Sequence, residues 1–271
     1  MVNVFGNESV LYVKTGFSNN RTIIEDSYFT APYKIAKPFY NYERNMAEVM
    51  VMSASAGVME GDSYLTEVDV GRASSLSLQG QSYTKIHKMN NGYAKQKNLF
   101  YVQEDACFDY DPKPSIPFGD SNFDSESICY LYRGAQYLYS EIIACGRDKS
   151  GERFNFKRFK SHNKVFYCND LIFADNQELR PDNQVLTELG FFEGYTHQAT
   201  VAYFHDEMKR EALLERLFDE IKEYRDVEAG ISTTYKYGII IRILANSSDY
   251  LENIIVSIRD VIYNIKKSYC T

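Results

Sequence analysis

Short runs of alternating apolar and polar residues fill the chain from Val10 to about Phe173, and Gly, Asn, Asp and Pro interrupt them. Alternation with a period of two places successive side chains on opposite faces of a strand, so these runs predict strands. Their spacing of about ten residues is typical of a β-sandwich or a β-solenoid. The clearest are Val10 to Val13, Arg21 to Phe29, Glu48 to Ala54, Leu65 to Val70, Ser74 to Gln79, Leu99 to Val102, Ser127 to Tyr132, Tyr137 to Ala144 and Arg153 to Phe159.

The pattern changes after Phe192, where apolar residues begin to recur at helical spacing. The predicted order is a strand, a helix, two strands and a second helix, at Thr200 to Phe204, Asp206 to Tyr224, Ala229 to Tyr235, Tyr237 to Leu244 and Ser248 to Lys266. Asp206 is the predicted N-cap of the first helix. This order resembles part of a split βαβ unit, so we expect both helices to cover one face of the β body.

The predicted fold is therefore mainly β (α+β): a large β-sandwich or β-solenoid-like body with two C-terminal α-helices packed on one face. We expect an all-β body over residues 1–190 and a mixed α/β part over residues 191–271. Because no Pro, Gly or Ser-rich linker separates these parts, residues 1–271 are predicted to form a single integrated domain.

The composition favours strands and limits the classes of molecule that the protein is expected to bind. The 23 tyrosines and 17 phenylalanines favour strands, and a net charge of −7 argues against a nucleic-acid partner. The N-terminus has no secretory signal, and no apolar run is long enough to span a membrane. Five widely spaced cysteines without a CxxC pair suggest neither a disulfide framework nor a zinc site. We therefore expect a cytoplasmic protein with reduced thiols and no membrane partner.

The commonest catalytic and nucleotide-binding motifs are missing from the chain. It contains no Walker motif, no GxSxG and no HExxH. We therefore expect that the protein is not an enzyme, and that any energy from GTP hydrolysis comes from a partner.

Several local motifs occur in an order that resembles the UreD/UreH family of urease accessory proteins. The N-terminal group comprises Ser53, Gly57, Gly61 and Asp62 in SASAGVMEGD, followed by Gln81, Lys85, Ile86 and His87. The central group comprises Pro114, Ile116, Pro117 and Phe118 in PKPSIPF, and the pattern E-x₄-GR-x₃-GE from Glu141 to Glu152. The C-terminal group comprises Gly194, His197, Ala199, Thr200, Gly230, Ser232, Gly238 and Arg242.

This resemblance implies a scaffold for urease maturation. Members of the family bind the accessory protein UreF, meet the nickel-carrying GTPase UreG through UreF, and also bind the urease apoprotein. The resemblance allows for a dimer within the accessory complex. It implies no tightly bound cofactor, only transient nickel, and no nucleic acid or membrane.

A nickel path has to release its ion quickly. A site with a Kd of about 1 nM and association near 10⁶ M⁻¹s⁻¹ would release nickel at roughly 10⁻³ s⁻¹. Weak oxygen ligands along a water-filled passage would be faster. Glu141 interrupts an apolar run and, with Asp170, is predicted to line such a passage, while Asp62 and His87 are further candidates. An ion pair between Glu141 and Arg147 explains the buried carboxylate equally well.

Other interpretations remain open at this point. Cys107, Asp109 and Asp111 alternate along one strand, which predicts either a metal-binding edge or, more simply, a polar solvent face. Gly61 and Asp62 are also typical of a tight turn. The alternative functions are a β-sandwich glycoside hydrolase, with Glu141 and Glu152 as its carboxylate pair, and a protein- or carbohydrate-binding β module that has no metal role.

Overall fold

The computed structural model describes residues 8–267, with side chains described through residue 264. Within that range the chain forms twenty strands, a 3₁₀ turn at Asp148–Ser150 and two α-helices, α1 Arg210–Lys222 and α2 Ser248–Lys267. In chain order the strands are β1 Ser9–Ser18, β2 Arg21–Phe29, β3 Tyr33–Ile35, β4 Phe39–Asn41, β5 Met46–Ser53, β6 Ser63–Val70, β7 Ser75–Gly80, β8 Thr84–Ile86, β9 Ala94–Val102, β10 Cys107–Asp111, β11 Ser115–Pro117, β12 Asn122–Leu131, β13 Gln136–Ala144, β14 Gly146–Arg147, β15 Glu152–Arg153, β16 Arg158–Tyr167, β17 Asp170–Leu179, β18 His197–His205, β19 Glu228–Thr233 and β20 Gly238–Ala245.

The chain coils between two large sheets. A seven-stranded sheet has the order β17-β16-β12-β9-β6-β1-β2. An eleven-stranded sheet has the order β19-β20-β18-β13-β10-β7-β5-β3, with β4, β8 and β11 attached. Strands β6, β9, β12 and β16 are parallel neighbours in the first sheet, and β5, β7, β10 and β13 are parallel neighbours in the second. Each coil thus adds one strand to each sheet, which confirms the prediction of a β-solenoid-like body.

Both helices lie on the outer face of the eleven-stranded sheet, as predicted. Leu217 of α1, Ile254 and Ile258 of α2, and Ile241 of β20 are buried in one apolar cluster. Strands β18 and β19 both pair antiparallel with β20, which lies between them, and α1 connects the two. This topology is that of a split βαβ unit.

The predicted N-cap of α1 is wrong. The helix begins at Arg210, and Lys209 occupies the N-cap position without a capping side-chain hydrogen bond. The Asp206 carboxylate instead accepts hydrogen bonds from the Tyr167 hydroxyl at 2.6 Å and the Gly134 backbone N–H at 3.2 Å. Both bonds end on the Oδ2 atom, so this oxygen links the carboxylate to β16 and to the turn before β13, and not to the helix.

The predicted strand from Arg153 to Phe159 is also largely wrong. Arg153 ends the two-residue strand β15, and β16 begins only at Arg158. Phe154 has a positive φ of 52°, so the backbone turns where an extended strand was expected.

Two separate apolar clusters fill the space between the sheets. One is built around Phe100, Phe108 and Phe204, and the other around Phe123 and Phe159. The strands run from one cluster to the other, so the residues between the clusters form a middle zone of the sandwich. That zone contains the candidate site.

Candidate functional site

Nine side chains form a polar belt across the space between the two sheets. The strand registers place its first row side by side on five adjacent strands, at Thr66, Asn98, Ser127, Asn163 and Asp175. The second row lies at the adjacent inward position of four of these strands, at Gln96, Ser125, Ser161 and Gln177. Because neighbouring strands lie about 4.8 Å apart, the first row extends about 19 Å across the sheet.

Apolar rows enclose the polar belt on both sides. Phe100 and Val165 lie at the next inward positions in one direction, and Phe123 and Phe159 in the other. The belt itself is deeply placed, since Asn98 is only 2% exposed. Burial of amides and hydroxyls is costly unless they are hydrogen-bonded or hydrated, so the belt is a polar strip inside an otherwise apolar core.

Glu141 projects into this strip from the eleven-stranded sheet. It is the direct cross-strand neighbour of Thr200, which is in turn the neighbour of Arg242. The Ser161 hydroxyl lies 2.9 Å and 2.8 Å from the two Glu141 carboxylate oxygens and donates its hydrogen bond to this carboxylate. Burial raises the pKa of Glu141, and the Ser161 hydrogen bond opposes that shift.

A cavity of about 60 Å³ lies beside Glu141, and Asn98 and Tyr139 help to line it. Tyr139 is 4% exposed, and its hydroxyl has no hydrogen-bond partner within the described part of the chain. A polar cavity of this size next to an unpaired hydroxyl can hold ordered water. Gln96 and Tyr110 line both this cavity and a pocket of about 400 Å³, so the belt continues into the larger pocket.

The opposite end of the polar belt lies at the edge of the sandwich. There the Arg242 guanidinium pairs with the Asp175 carboxylate at 2.7 Å, which joins β20 to β17. The Gln177 side-chain amide donates to the Gln198 side-chain oxygen and makes a second link between the sheets. The belt therefore connects the large pocket with a sheet edge that polar contacts close.

A family model for the UreD urease accessory protein matches residues 8–269. The chain belongs to the UreD family. It is 49% identical to a UreD urease accessory protein of Acetivibrio thermocellus over 97% of this chain and 100% of the relative. It is 35% identical to a UreH urease accessory protein of Helicobacter hepaticus over 91% of this chain and 95% of the relative. The relatives are named as accessory proteins, which assigns this UreD-family chain a role in urease maturation.

The described residues of this UreD-family chain contain neither a preformed metal cluster nor a membrane-spanning helix. Within residues 8–267, no group of three or more His, Cys, Asp and Glu side chains is arranged to hold a metal ion. In the same part of the chain, no helix is both long and apolar enough to cross a membrane.

The structure brings two of the predicted site residues near each other. The Asp62 carboxylate accepts hydrogen bonds from the Met59 N–H and the Tyr64 hydroxyl, both at 2.8 Å, as expected for a turn. The His87 Nε2 atom lies 3.1 Å from the carbonyl oxygen of Ala56, which lines the larger pocket. Asp62 and His87 therefore belong to adjoining loops, joined by the bridge between residues 58 and 86.

The other two predicted site residues, Glu141 and Asp170, lie in different surroundings. Glu141 is central to the site, because it contacts the polar belt directly. Asp170 lies at the first position of β17, with 74% of its side chain exposed and the Lys236 ammonium 3.7 Å away. Its place in a nickel path stays a prediction.

The expected ion pair between Glu141 and Arg147 is wrong. Arg147 pairs with Glu152, and its guanidinium stacks on the Phe118 ring at 4.2 Å. The two residues lie on different strands, β13 and β14, and the ring of Phe118 together with Glu152 fixes Arg147 near the surface. Glu152 also accepts the Gly119 N–H at 3.0 Å, so Glu141 and Glu152 have separate partners and do not form a shared carboxylate pair.

The solvent face expected at Cys107, Asp109 and Asp111 is also wrong. Asp109 is 2% exposed, because α2 covers this face of β10. The Arg259 guanidinium of α2 lies 3.2 Å from Asp109 and 3.1 Å from Asp111. This carboxylate row anchors a helix.

Sequence reasoning missed the polar belt, although a signal exists. Four strands carry polar residues at two successive inward positions, while the neighbouring inward positions are apolar. The four pairs are Gln96 and Asn98, Ser125 and Ser127, Ser161 and Asn163, and Asp175 and Gln177. A search for polar pairs separated by one residue inside strands would have found them.

Proposed function

We propose that this UreD-family chain passes nickel to the urease apoprotein through the polar belt. One observation carries the proposal: a polar strip enclosed by apolar rows joins a pocket of about 400 Å³ to the opposite edge of the sandwich. In this proposal the chain is a scaffold that bridges UreF, and through UreF the nickel-carrying GTPase UreG, to urease.

The ligand atoms of the belt are of the kind that bind nickel weakly and release it quickly. Its donors are amide and hydroxyl oxygens, with Glu141 and Asp175 as carboxylates. Nickel binds imidazole and thiolate more strongly than these oxygen ligands, so oxygen ligands and water release the ion faster. Nickel is here the substrate of delivery and not a resident cofactor.

Glu141 is the proposed central ligand of the path. It is the carboxylate that faces the middle of the belt, and Ser161 fixes its position. Asp62 and His87 lie on the loops beside the larger pocket and are proposed to meet the ion near that end. Cys129, Cys145 and Cys168 are not paired in disulfides, which supports a cytoplasmic place of action.

Replacing Glu141 tests the path. Glu141→Ala and Glu141→Gln, coexpressed with urease and the other accessory proteins, should lower the nickel content and activity of the purified urease. Copurification of the accessory proteins should be unchanged, because the side chain is internal. Glu126→Gln is the matched control, since Glu126 lies on the outer face of the opposite, seven-stranded sheet and pairs with Lys164. Unchanged nickel content in both Glu141 variants would refute the proposed path.

Neither alternative function has comparable support. The hydrolase would need Glu141 and Glu152 as one catalytic pair, and their partners are separate. A carbohydrate-binding module usually offers flat ring faces. On the outer face of the seven-stranded sheet, Tyr101, Tyr130 and Phe166 instead stack on one another, with centroids 5.3 Å and 5.2 Å apart, so their faces are covered by neighbouring rings.

A further inference from the structure

The ion pair at the edge of the sandwich lies on the line that the polar belt follows. Asp175 ends the first row of the belt, and Arg242 ends the row that begins with Glu141. Arg242 is two strands from Glu141, a backbone separation of about 10 Å. The Arg242 and Asp175 side chains meet between the sheets at 2.7 Å, so an ion that crosses the whole belt has to pass this contact.

The charges at this end oppose the passage of a cation. The Arg242 guanidinium carries a permanent positive charge that repels a divalent cation. It also occupies the Asp175 carboxylate, whose negative charge would otherwise attract the ion. The Arg242 side chain is 49% exposed and that of Asp175 is 18% exposed, so the guanidinium is free to swing outward while the carboxylate stays within the belt.

We propose that Arg242 is a positioning residue that gates the edge of the nickel path by holding Asp175. This inference rests on the proposed function. While the pair is closed, the guanidinium repels the ion and withholds a ligand from it. When Arg242 turns away, Asp175 becomes an oxygen ligand at the end of the belt.

Substitutions at Arg242 separate its charge from its hydrogen bond. Arg242→Gln removes the positive charge but keeps an amide that can donate to Asp175, whereas Arg242→Lys keeps the charge. The assay uses the full chain in complex with urease apoprotein, supplied with nickel sulfate, and measures the initial rate of activation and the nickel bound to urease. Arg242→Gln should raise the initial rate about tenfold, at the lower end of electrostatic effects on association. Arg242→Lys should remain close to wild type.

Two further measurements distinguish a gate from a general disturbance of the edge. Adding Asp175→Asn to Arg242→Gln should remove most of the gain, because the negative charge of Asp175, which no cation neutralises in Arg242→Gln, is lost. Raising the salt concentration should reduce the difference between wild type and Arg242→Gln, because the guanidinium charge is screened. A gain that persists unchanged at high salt or in the double variant would refute the gate.

The outcome for Glu141→Gln in the same assay separates this inference from the proposed function. If Glu141→Gln slows activation but Arg242→Gln does not accelerate it, the gate is refuted and the path stands. If Glu141→Gln has no effect, the path itself fails. If Arg242→Lys activates as fast as Arg242→Gln, the positive charge plays no part and the inference is wrong.

Discussion

Removing Arg259 should strongly destabilise the attachment of α2 to the β body. The Arg259 side chain is 5% exposed and that of Asp109 is 3% exposed, and the pair links α2 to β10. Arg259 also donates a hydrogen bond to the Ser140 hydroxyl at 3.1 Å, and Ser140 directly precedes Glu141 in the sequence. Arg259→Met fills a similar volume but leaves Asp109 in an apolar interface without its cation.

The size of the loss follows from the fate of Asp109. Breaking a buried ion pair by removing one partner typically costs about 3 to 5 kcal/mol. The Tyr263 hydroxyl still donates to Asp109 at 2.8 Å, which offsets part of the loss. Asp109 can also take up a proton, and from its ordinary pKa of 3.8 this limits the electrostatic loss to about 4 kcal/mol at pH 7. We expect a decrease of about 3 kcal/mol in the free energy of unfolding.

The loss should depend on pH with a definite sign. Burial raises the pKa of Asp109, and Arg259 opposes that shift, so Arg259→Met raises the pKa further. A carboxyl whose folded pKa exceeds its unfolded pKa destabilises the fold as the pH rises above the unfolded value. The difference in stability between wild type and Arg259→Met should therefore shrink from pH 7 toward pH 4.

Urea unfolding followed by far-ultraviolet circular dichroism measures this difference. Asp260→Asn is the control. Asp260 also lies on α2, where it forms an exposed ion pair with Arg44, so its substitution should change stability by less than about 1 kcal/mol. Adding Asp109→Asn to Arg259→Met should recover most of the loss at pH 7, since no charge is left buried. A loss below about 1 kcal/mol, or one that does not vary with pH, would refute the reasoning.

Two other predictions concern single side chains. Glu141→Gln should raise the free energy of unfolding above pH 7, because burial raises the pKa of Glu141 and the ionised form destabilises the fold; the gain, measured by urea unfolding, should vanish as the pH falls toward the ordinary value of 4.5. Cys145 is buried, and its burial raises the pKa of its thiol to about 11, whereas Cys168 is exposed. Cys168→Ser should therefore weaken any nickel binding seen by calorimetry in the reduced chain, and a stoichiometric nanomolar site that survives this substitution would contradict weak transient binding.

Strand and helix positions followed closely from the alternation of apolar and polar residues. The predicted strand Arg21 to Phe29 coincides with β2, and the predicted start of the second helix at Ser248 coincides with that of α2. These elements are determined locally, because strong periodicity leaves one face to bury. The turn at Phe154 breaks a run that reads as a strand, and its positive φ depends on the surrounding loops.

The candidate site was only partly accessible from the sequence. Glu141 was identified because a carboxylate within an apolar run must be paired or hydrated. Its partner could not be identified, since Arg147 is near in sequence whereas Ser161 is supplied by a strand of the other sheet. Asp109 looked like part of a polar face, because the helix that covers it begins far along the chain at Ser248.

Local periodicity by itself determined that this chain is mainly β with two C-terminal helices, and its motifs indicated the UreD family. The tertiary structure alone decided where the polar positions lie. The alternation of polar and apolar residues predicts that Gln96, Ser125, Ser161 and Gln177 each share a strand face with the residues two positions away. It does not predict which face of the strand lies inside the protein. Only the stacking of successive coils places these side chains in one row between two sheets and opposite Glu141. A path across the protein is a property of that register, and a register between distant strands is set by packing of the whole core.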